Sequence, residues 1–423
     1  MTTMSGMKLD DLRPQKKIGM NLGFNLGFLD DKFEVDLNLY KENTKDLIMT
    51  GIPIPTSATW NTTTTITGNV GEMQNKGWEM SITANKFIRV NKFSLSANFN
   101  IAQNVNKLLE MDQRVLDNLN TQPSYSRRGS SSILNRVVVG NPLCSIYGFN
   151  SLGVFQYSYD YLTNYNTKQL QLQQQAIARG ETYDWDYEAW INQQLAEGKT
   201  FPVATDESGR VIMTNTGAPK HLVYYYGDTE YEFKGGDAIY EDVNHDGNIN
   251  ELDIKYLGNS LPKMQGGFSL TAQYGQWKMV ARFNYRWGSK IINTARMGLE
   301  SMYGTQNQAA TVTYRWRKDG DVTPIPRALY GTGYNYQVSS RFVEDGSFLR
   351  LNNLQISYSV PSKKAKKLGL NSLSAYVTMN NLFCWTRYTG IDPEISAGTY
   401  TPANDGGITP RSKSVTASLN FSF

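Results

Sequence analysis

The sequence lacks any long apolar run. No stretch of 18 consecutive apolar residues occurs in its 423 residues, and 19% of the residues are charged. A helix that crosses a bilayer needs about 20 mostly apolar residues, so a helical membrane span is excluded. A β-barrel is not excluded, because alternation halves the apolar content of each strand that crosses.

Cysteine and histidine are almost absent, which removes most kinds of catalytic and metal site. Cys144 and Cys384 lie far apart and match no metal-ligand spacing. His221 and His245 have no Cys or Ser partner nearby in sequence, so nucleophilic catalysis has little support. The net charge of +4 comes with no basic run. We therefore predict neither an enzyme nor a nucleic-acid-binding protein.

Aromatic residues and glycine are plentiful, with 26 Tyr, 17 Phe, 8 Trp and 36 Gly. The last ten residues, 414–423, place an apolar side chain at every second position and end on an aromatic, Phe423. Successive side chains of a strand point to opposite faces, so this segment predicts a strand with one apolar and one polar face.

The same alternation recurs in segments of about ten residues, long enough for a strand that crosses a bilayer. These segments are 18–40, 78–101, 268–287, 348–360 and 373–379. Charged side chains on one strand face are costly in a dry sandwich core but natural in a water-filled lumen. The pattern predicts an all-β protein, an antiparallel transmembrane β-barrel with short periplasmic turns and long extracellular loops.

Three regions follow from this pattern. Residues 1–109 and 263–423 are predicted to hold barrel strands, and residues 110–262 a large, mostly irregular extracellular excursion. Within that excursion, 144–157 is open to a strand or a hairpin, and the Gln- and Leu-rich stretch 161–198 is open to a helix.

We count about nine crossings, with the first and the last both running inward. An odd set with two open edges does not close a bacterial barrel, so we expect the chain to be the C-terminal part of a larger one. The first residues, 1–8, lack the basic and apolar regions of a secretory signal, and we expect the export signal upstream.

The most distinct local motif is a 12-residue loop, 242–253, with the spacing of a calcium-binding loop. Oxygen-bearing side chains occupy positions 1, 3, 5, 9 and 12, glycine occupies position 6, and position 7 contributes its backbone carbonyl. The predicted ligands are Asp242, Asn244, Asp246, Asn248, Asn250 and Asp253. The predicted role of Ca²⁺ is structural, to brace the outer loop. The alternative is an Asn/Asp/Gly turn without metal.

Two further clusters have a simple structural interpretation beside a functional one. Tyr224, Tyr225 and Tyr226 are suited to stacking on sugar rings, but loop packing or an interfacial girdle is the more common role. The lysines between Lys363 and Lys367 indicate a solvated turn that faces the periplasm.

Five stretches resemble, in order, SusC/RagA-type TonB-dependent outer-membrane transporters. They are Asn69–Glu79, Gly236–Gly247, Phe348–Leu354, Asn380–Phe383 and Gly390–Glu394. The resemblance implies a plugged barrel of roughly 22 strands. It also implies TonB-driven import of oligosaccharides or peptides at the Gram-negative cell outer membrane, with a SusD-like surface lipoprotein as lid.

On this resemblance the chain supplies barrel wall and outer loops, while the N-terminal barrel strands, the plug and the TonB-coupling segment lie elsewhere. The implied partners are that remaining barrel, the SusD-like lipoprotein, TonB, the substrate and outer-membrane lipid. Two alternatives stay open. One is a secreted or surface β-rich glycan-binding or adhesin protein with a calcium-braced loop, and the other is an outer-membrane enzyme.

Overall fold

A computed structural model describes residues 12–30, 32–53, 65–120, 134–226 and 229–423. The N-terminal stretch 1–8, discussed above, therefore lies outside the described residues, as do position 31 and most of the Thr-rich segment 51–68.

Strands dominate the described residues. In chain order they are β1 (Lys16–Phe28), β2 (Phe33–Lys45), β3 (Ile48–Pro53), β4 (Thr65–Asn69), β5 (Gly71–Val90), β6 (Phe93–Met111), β7 (Ser145–Phe149), β8 (Ser151–Val154), β9 (Val223–Tyr226), β10 (Thr229–Glu232), β11 (Ala238–Tyr240), β12 (Asn248–Ile249), β13 (Ile254–Asn259), β14 (Met264–Tyr274), β15 (Trp277–Trp287), β16 (Lys290–Ile292), β17 (Val343–Asp345), β18 (Phe348–Ser359), β19 (Ser372–Thr386) and β20 (Ser414–Ser422). The α-helices are α1 (Gln113–Leu119), α2 (Tyr159–Ala178), α3 (Tyr187–Ala196), α4 (Thr294–Glu300) and α5 (Ser362–Lys367).

Nine long strands form one antiparallel sheet, here called the wall sheet. Its order is β1-β2-β5-β6-β14-β15-β18-β19-β20, so neighbours in space follow one another along the chain. This confirms the predicted number of crossings for the described part of the chain. The edge strands β1 and β20 do not pair with each other, so these residues alone do not close the sheet into a ring.

Each wall strand keeps its apolar side chains on one face. In β15 the odd-numbered residues from Trp277 to Trp287 are apolar or aromatic, whereas Lys278, Arg282 and Arg286 lie on the other face. Trp277 and Trp287 are both more than half exposed. Ten residue steps along a tilted strand separate their levels by about 25 Å, which is the height of the apolar band of a barrel.

Tight turns join the strands at one end. Gly275 has a φ of +56° between β14 and β15, a conformation that glycine adopts without steric cost. Strand β18 has a bulge at Asn352, where its register shifts against both of its neighbours. The lysine segment predicted as a turn forms the short helix α5 instead, with Ala365 fully buried beneath its lysines.

A glycine and an aromatic fix the register inside the sheet. Gly77 of β5 lies opposite Tyr40 of β2, whose ring covers it and whose hydroxyl donates to Asn104 Oδ1 at 3.1 Å. A Cβ at Gly77 would lie 2.0 Å from the Gln103 carbonyl oxygen and 2.7 Å from the Tyr40 hydroxyl. Only glycine fits at this position.

Most of the buried apolar residues lie beyond the open end of the sheet, in the long connections, here called the outer-loop layer. One cluster gathers Phe149, Phe155, Phe233 and Tyr240. A second lies beneath α2 and α3 and includes Leu162 and Ile191. The wall sheet itself keeps its apolar face exposed, as expected of a surface that meets lipid.

The excursion 110–262, predicted to be mostly irregular, contains more helix and strand than that prediction allows. The stretch 161–198 forms α2 and α3, and Ser158 caps α2 by accepting a hydrogen bond from the Tyr161 amide. Strands β7 and β8 both form, but each pairs with a distant strand, β13 and β11 respectively. Sequence alternation cannot show such pairing, because it reports side-chain faces and not partners.

Among the helices of the described residues, none combines the length and the apolar character that crossing a membrane requires.

Candidate functional site

The polar face of the wall sheet is the first candidate surface. Amide and carboxylate side chains from β1, β2, β5 and β6 line a depression of about 470 Å³ on this face, among them Asn38, Glu42, Asn75 and Glu79. Lys17 forms an ion pair with Glu42 at 2.7 Å. This surface offers water and polar ligands many hydrogen-bonding groups, which suits the lumen of a transport barrel.

The outer-loop layer contains the second candidate, a groove of about 1080 Å³. It is lined by α4, the 3-10 turn Ala310–Tyr314, and the loop segments 322–325 and 389–391. The rim is apolar, since Tyr314, Val322 and Ile391 are each at least 70% exposed. We call this the outer groove.

The wall of the outer groove contains a charged network. Glu300 of α4 is almost fully buried and accepts from Arg296 Nε at 3.0 Å and from Arg341 Nη2 at 2.6 Å. Arg296 Nη1 also lies 3.2 Å from Glu344 Oε1. Burial by itself would raise the pKa of Glu344, but hydrogen bonds from Thr389, Arg296 and Asn293 hold that pKa below its usual range.

Comparison with known proteins shows which proteins this chain resembles. Residues 5–128 match the family described as TonB dependent receptor-like, beta-barrel. TonB-dependent receptor P39 of Formosa agariphila is 27% identical over 98% of this chain and 36% of its own length. TonB-dependent receptor SusC of Bacteroides thetaiotaomicron is 22% identical over 98% of this chain and 32% of its own length.

Solved structures agree with this likeness at the level of the fold. The structure titled RagAB peptide importer in the closed-closed state aligns over the whole of this chain and 37% of its own chain, with a TM-score of 0.65 and 20% identity. The wall sheet resembles a segment of a TonB-dependent receptor β-barrel.

The predictions of an antiparallel membrane barrel and of an outer-membrane location are thereby confirmed. So is the prediction that the chain is not an enzyme, because its likeness is to a transporter family. The chain spans about a third of the length of the curated relatives that it matches. The predicted boundaries at residues 110 and 263 stay a prediction.

The stretches that carried the resemblance meet one another in the structure. Arg350 of β18 is 4% exposed, and its Nη2 lies 2.6 Å from Asp392 Oδ1 in the loop after β19. Asn353 of β18 donates to Asn380 of β19 at 2.9 Å. The first pair ties the outer-loop layer to the wall sheet and the second joins two neighbouring wall strands, so the first role of these residues is structural.

The predicted calcium ligands share one compact loop, in which their carboxylates accept hydrogen bonds from backbone amides. Asp242 Oδ2 accepts from the Gly247 amide and Asp246 Oδ1 from the Asn248 amide. Asp253 is buried, and its two oxygens accept from the Val243 and Asn250 amides, both at 2.8 Å. Within the described ranges, no three His, Cys, Asp or Glu side chains converge as metal ligands.

The remaining predicted ligands also make hydrogen bonds within the loop. Asn244 donates to Asp246 Oδ2 at 2.9 Å, Asn250 caps the following 3-10 turn, and the Asn248 amide is itself a donor. His245 contacts the Thr205 carbonyl oxygen at 3.2 Å. Calcium at this loop therefore stays a prediction.

The tyrosine cluster divides between the core and the surface of the outer-loop layer. Tyr224 is 2% exposed and stacks on Tyr334 with ring centroids 4.0 Å apart, so it packs in the core. Tyr225 is half exposed. His221 stacks on Tyr159 at 3.5 Å, and burial lowers the pKa of its imidazole.

Sequence reasoning missed the arginines that organise the loops. Arg327 pairs with Asp237 across 90 positions, and Arg296 and Arg341 converge on Glu300. Arg327 and Arg341 have no local signal, because their partners lie 90 and 41 positions away; only Arg296 and Glu300 have the i,i+4 spacing of a helical ion pair.

Proposed function

We propose that this chain forms part of the wall and the outer loops of a TonB-dependent importer of oligosaccharides or peptides. The observation that carries the proposal is the wall sheet itself, with a polar face and an exposed apolar face along nine strands. A sheet of this kind separates lipid from a hydrated lumen. The likeness to TonB-dependent receptors supports uptake as the purpose of that lumen.

We further propose that other strands complete the barrel, that a plug fills it, and that a SusD-like lipoprotein covers the outer mouth. Two unpaired wall edges and coverage of about a third of each relative support the first part. The structure titled RagAB peptide importer supports the expectation of a peptide or similar polymer as substrate.

The outer groove is the site that we propose for first contact with substrate. Its exposed apolar rim suits side chains or sugar faces, and the arginine and carboxylate network suits polar backbone groups. The groove lies in the outer-loop layer, where a ligand arrives before it reaches the polar face of the wall.

Uptake by intact cells tests the transport proposal. Cells with and without the gene are given labelled oligosaccharide and peptide mixtures, with and without an uncoupler of the proton gradient. We expect uptake of one substrate class to need both the gene and the gradient. Equal uptake by the two strains across both mixtures would reject import as the function.

The groove is tested by Tyr314→Ala combined with Ile391→Ala. Both residues are highly exposed, so the fold should persist, and we expect a rise in the apparent KM for uptake. Tyr330→Ala is the matched control, because Tyr330 is 75% exposed and does not line the groove. An unchanged KM in the double variant would remove the groove from the proposal and leave the transport function standing.

A further inference from the structure

Charge on the lipid-facing side of the wall sheet is confined to one corner. On β14, β15, β18, β19 and β20, every charged residue lies on the polar face; these residues are Lys278, Arg282, Arg286 and Arg350. At the outer ends of β15 and β19 the lipid-facing positions are aromatic instead, Trp287 and Trp385, and both are more than half exposed.

The outer ends of β1, β2, β5 and β6 differ, because five exposed lysines share their lipid-facing side. Lys45 lies 3.8 Å from Glu72, and we call the other four the rim lysines: Lys16, Lys41, Lys76 and Lys107. Alternation assigns the face, since Lys41 follows Leu37 and Leu39 at two-residue steps and Lys76 precedes Trp78 and Met80 in the same way.

The register brings like charges together. Lys41 and Lys76 are direct cross-strand partners, which places their Cβ atoms about 5 Å apart. Two positions further out, Lys107 lies opposite Gln74, and beyond that Lys16 lies opposite Lys45. Like charges directly opposite one another destabilise a sheet.

The protein itself does little to neutralise these charges. Lys45 lies 3.8 Å from Glu72, but within the described residues no ion pair joins any rim lysine to an acid. Glu72 and Glu110 face each other still further out. An anion that bridges Lys41 and Lys76 would relieve their repulsion.

The position of the rim lysines decides which anion fits. One step towards the periplasm, the same face carries Leu39 and Trp78, which are cross-strand partners and begin the apolar band. The ammonium groups therefore stand at the level of the lipid headgroups, on the side of the long loops, which is the outer leaflet.

We propose that the rim lysines form a binding surface for the phosphate groups of an anionic glycolipid in the outer leaflet. The glycolipid's acyl chains lie against Leu37, Leu39 and Trp78, and its phosphates bridge Lys41, Lys76 and Lys107. The proposal rests on the outer-membrane location and not on the transport function, so either can fail without the other.

Native mass spectrometry tests the proposed glycolipid site. The protein is first exchanged with phosphatidylcholine vesicles that contain lipid A, enzymatically dephosphorylated lipid A, or neither, and is then purified in detergent and measured. We expect the protein to retain lipid A and not its dephosphorylated form. Lys41→Gln combined with Lys76→Gln should weaken retention roughly 30-fold, at about fivefold for each lysine. Lys41→Arg combined with Lys76→Arg should retain the lipid, which separates loss of charge from misfolding.

The matched control is Lys363→Gln combined with Lys364→Gln, which removes two exposed lysines from α5 at the opposite end of the wall. It should leave retention unchanged. Equal retention by both glutamine variants would overturn the proposal, and so would equal retention of the dephosphorylated lipid. Full displacement by inorganic phosphate at matched concentration would show a site for soluble anions and would also overturn it.

Discussion

Asp237 and Arg327 form a two-point ion pair inside the outer-loop layer. Arg327 Nε lies 2.7 Å from Asp237 Oδ1, and Arg327 Nη2 lies 3.2 Å from Oδ2. Asp237 is fully buried and also accepts from the Tyr231 hydroxyl at 2.8 Å. This one carboxylate therefore holds two separate connections together.

Arg327→Gln should destabilise the outer-loop layer by about 3–5 kcal/mol, because it leaves a buried carboxylate without its cation. The measurement is hydrogen exchange of the amides around residues 231–240, compared with the amides of the wall sheet. Arg210→Gln is the control, since Arg210 and Glu188 form an exposed pair at 3.5 Å, and such pairs contribute little. Equal protection in both variants would contradict the structural role of the pair.

Gly77→Ala should destabilise the wall sheet. The new Cβ would meet the Gln103 carbonyl oxygen at 2.0 Å and the Tyr40 ring, so backbone and ring must both shift. Overpacking of this kind costs about 1–3 kcal/mol. Gly19→Ala is the matched control, because its nearest neighbour is the flexible Glu42 side chain at 3.4 Å. The check is the temperature at which the barrel unfolds in detergent, which should fall for Gly77→Ala only.

The cluster that holds His221 should weaken in mild acid. Burial lowers the pKa of His221 from its usual 6.5, although Glu232 and Asp160 oppose the shift. The unfolded chain therefore binds a proton at a higher pH than the folded chain does. The neutral imidazole of His221 therefore makes its full contribution to the stability of the cluster above about pH 6.5. This contribution is lost as the pH falls towards the lowered pKa.

Limited proteolysis of the segment that contains α2 and α3 measures this effect. Cleavage should quicken between about pH 7.5 and about pH 5.5 in the wild type. His221→Phe keeps the stacking on Tyr159 and removes the titration, so its cleavage rate should not change across that window. An equal acceleration in the variant would assign the effect to other groups.

Calcium should protect the loop 242–253 from proteolysis if the predicted ligands bind it. Burial raises the pKa of Asp253, and the nearby charges of Asp242 and Asp246 raise it further. A divalent cation would reduce that repulsion. The measurement is calorimetric titration of the chelator-treated protein with CaCl₂, combined with protease mapping.

Asp246→Asn should abolish calcium binding. Asp206→Asn is the matched control, because Asp206 makes the same kind of contacts with following amides, those of Ser208 and Arg210, outside the loop. If the wild type shows neither binding heat nor protection from the protease, the loop is a hydrogen-bonded turn without calcium. Any binding that survives in Asp246→Asn would place the ion elsewhere.

The sequence by itself determined the wall. Which face of a strand is apolar depends on a two-residue period, and where a strand ends depends on nearby glycines and polar residues, so both are local properties. For this reason the alternation in residues 18–40, 78–101, 268–287, 348–360, 373–379 and 414–423 predicted the number of crossings. The resemblance of residues 348–354 and 390–394 to transporter motifs could also be seen in the sequence. The contact between these two segments could not.

Only the tertiary structure decided the outer-loop layer and its groove. Arg327 and Asp237 are 90 positions apart, and the outer groove joins segments from α4 to the loop after β19. Such contacts depend on how long connections fold back over one another, which no local period encodes. The alignment of Lys41 with Lys76 is likewise a fact of strand register, so the charged corner of the lipid-facing surface appears only once β2 and β5 are paired.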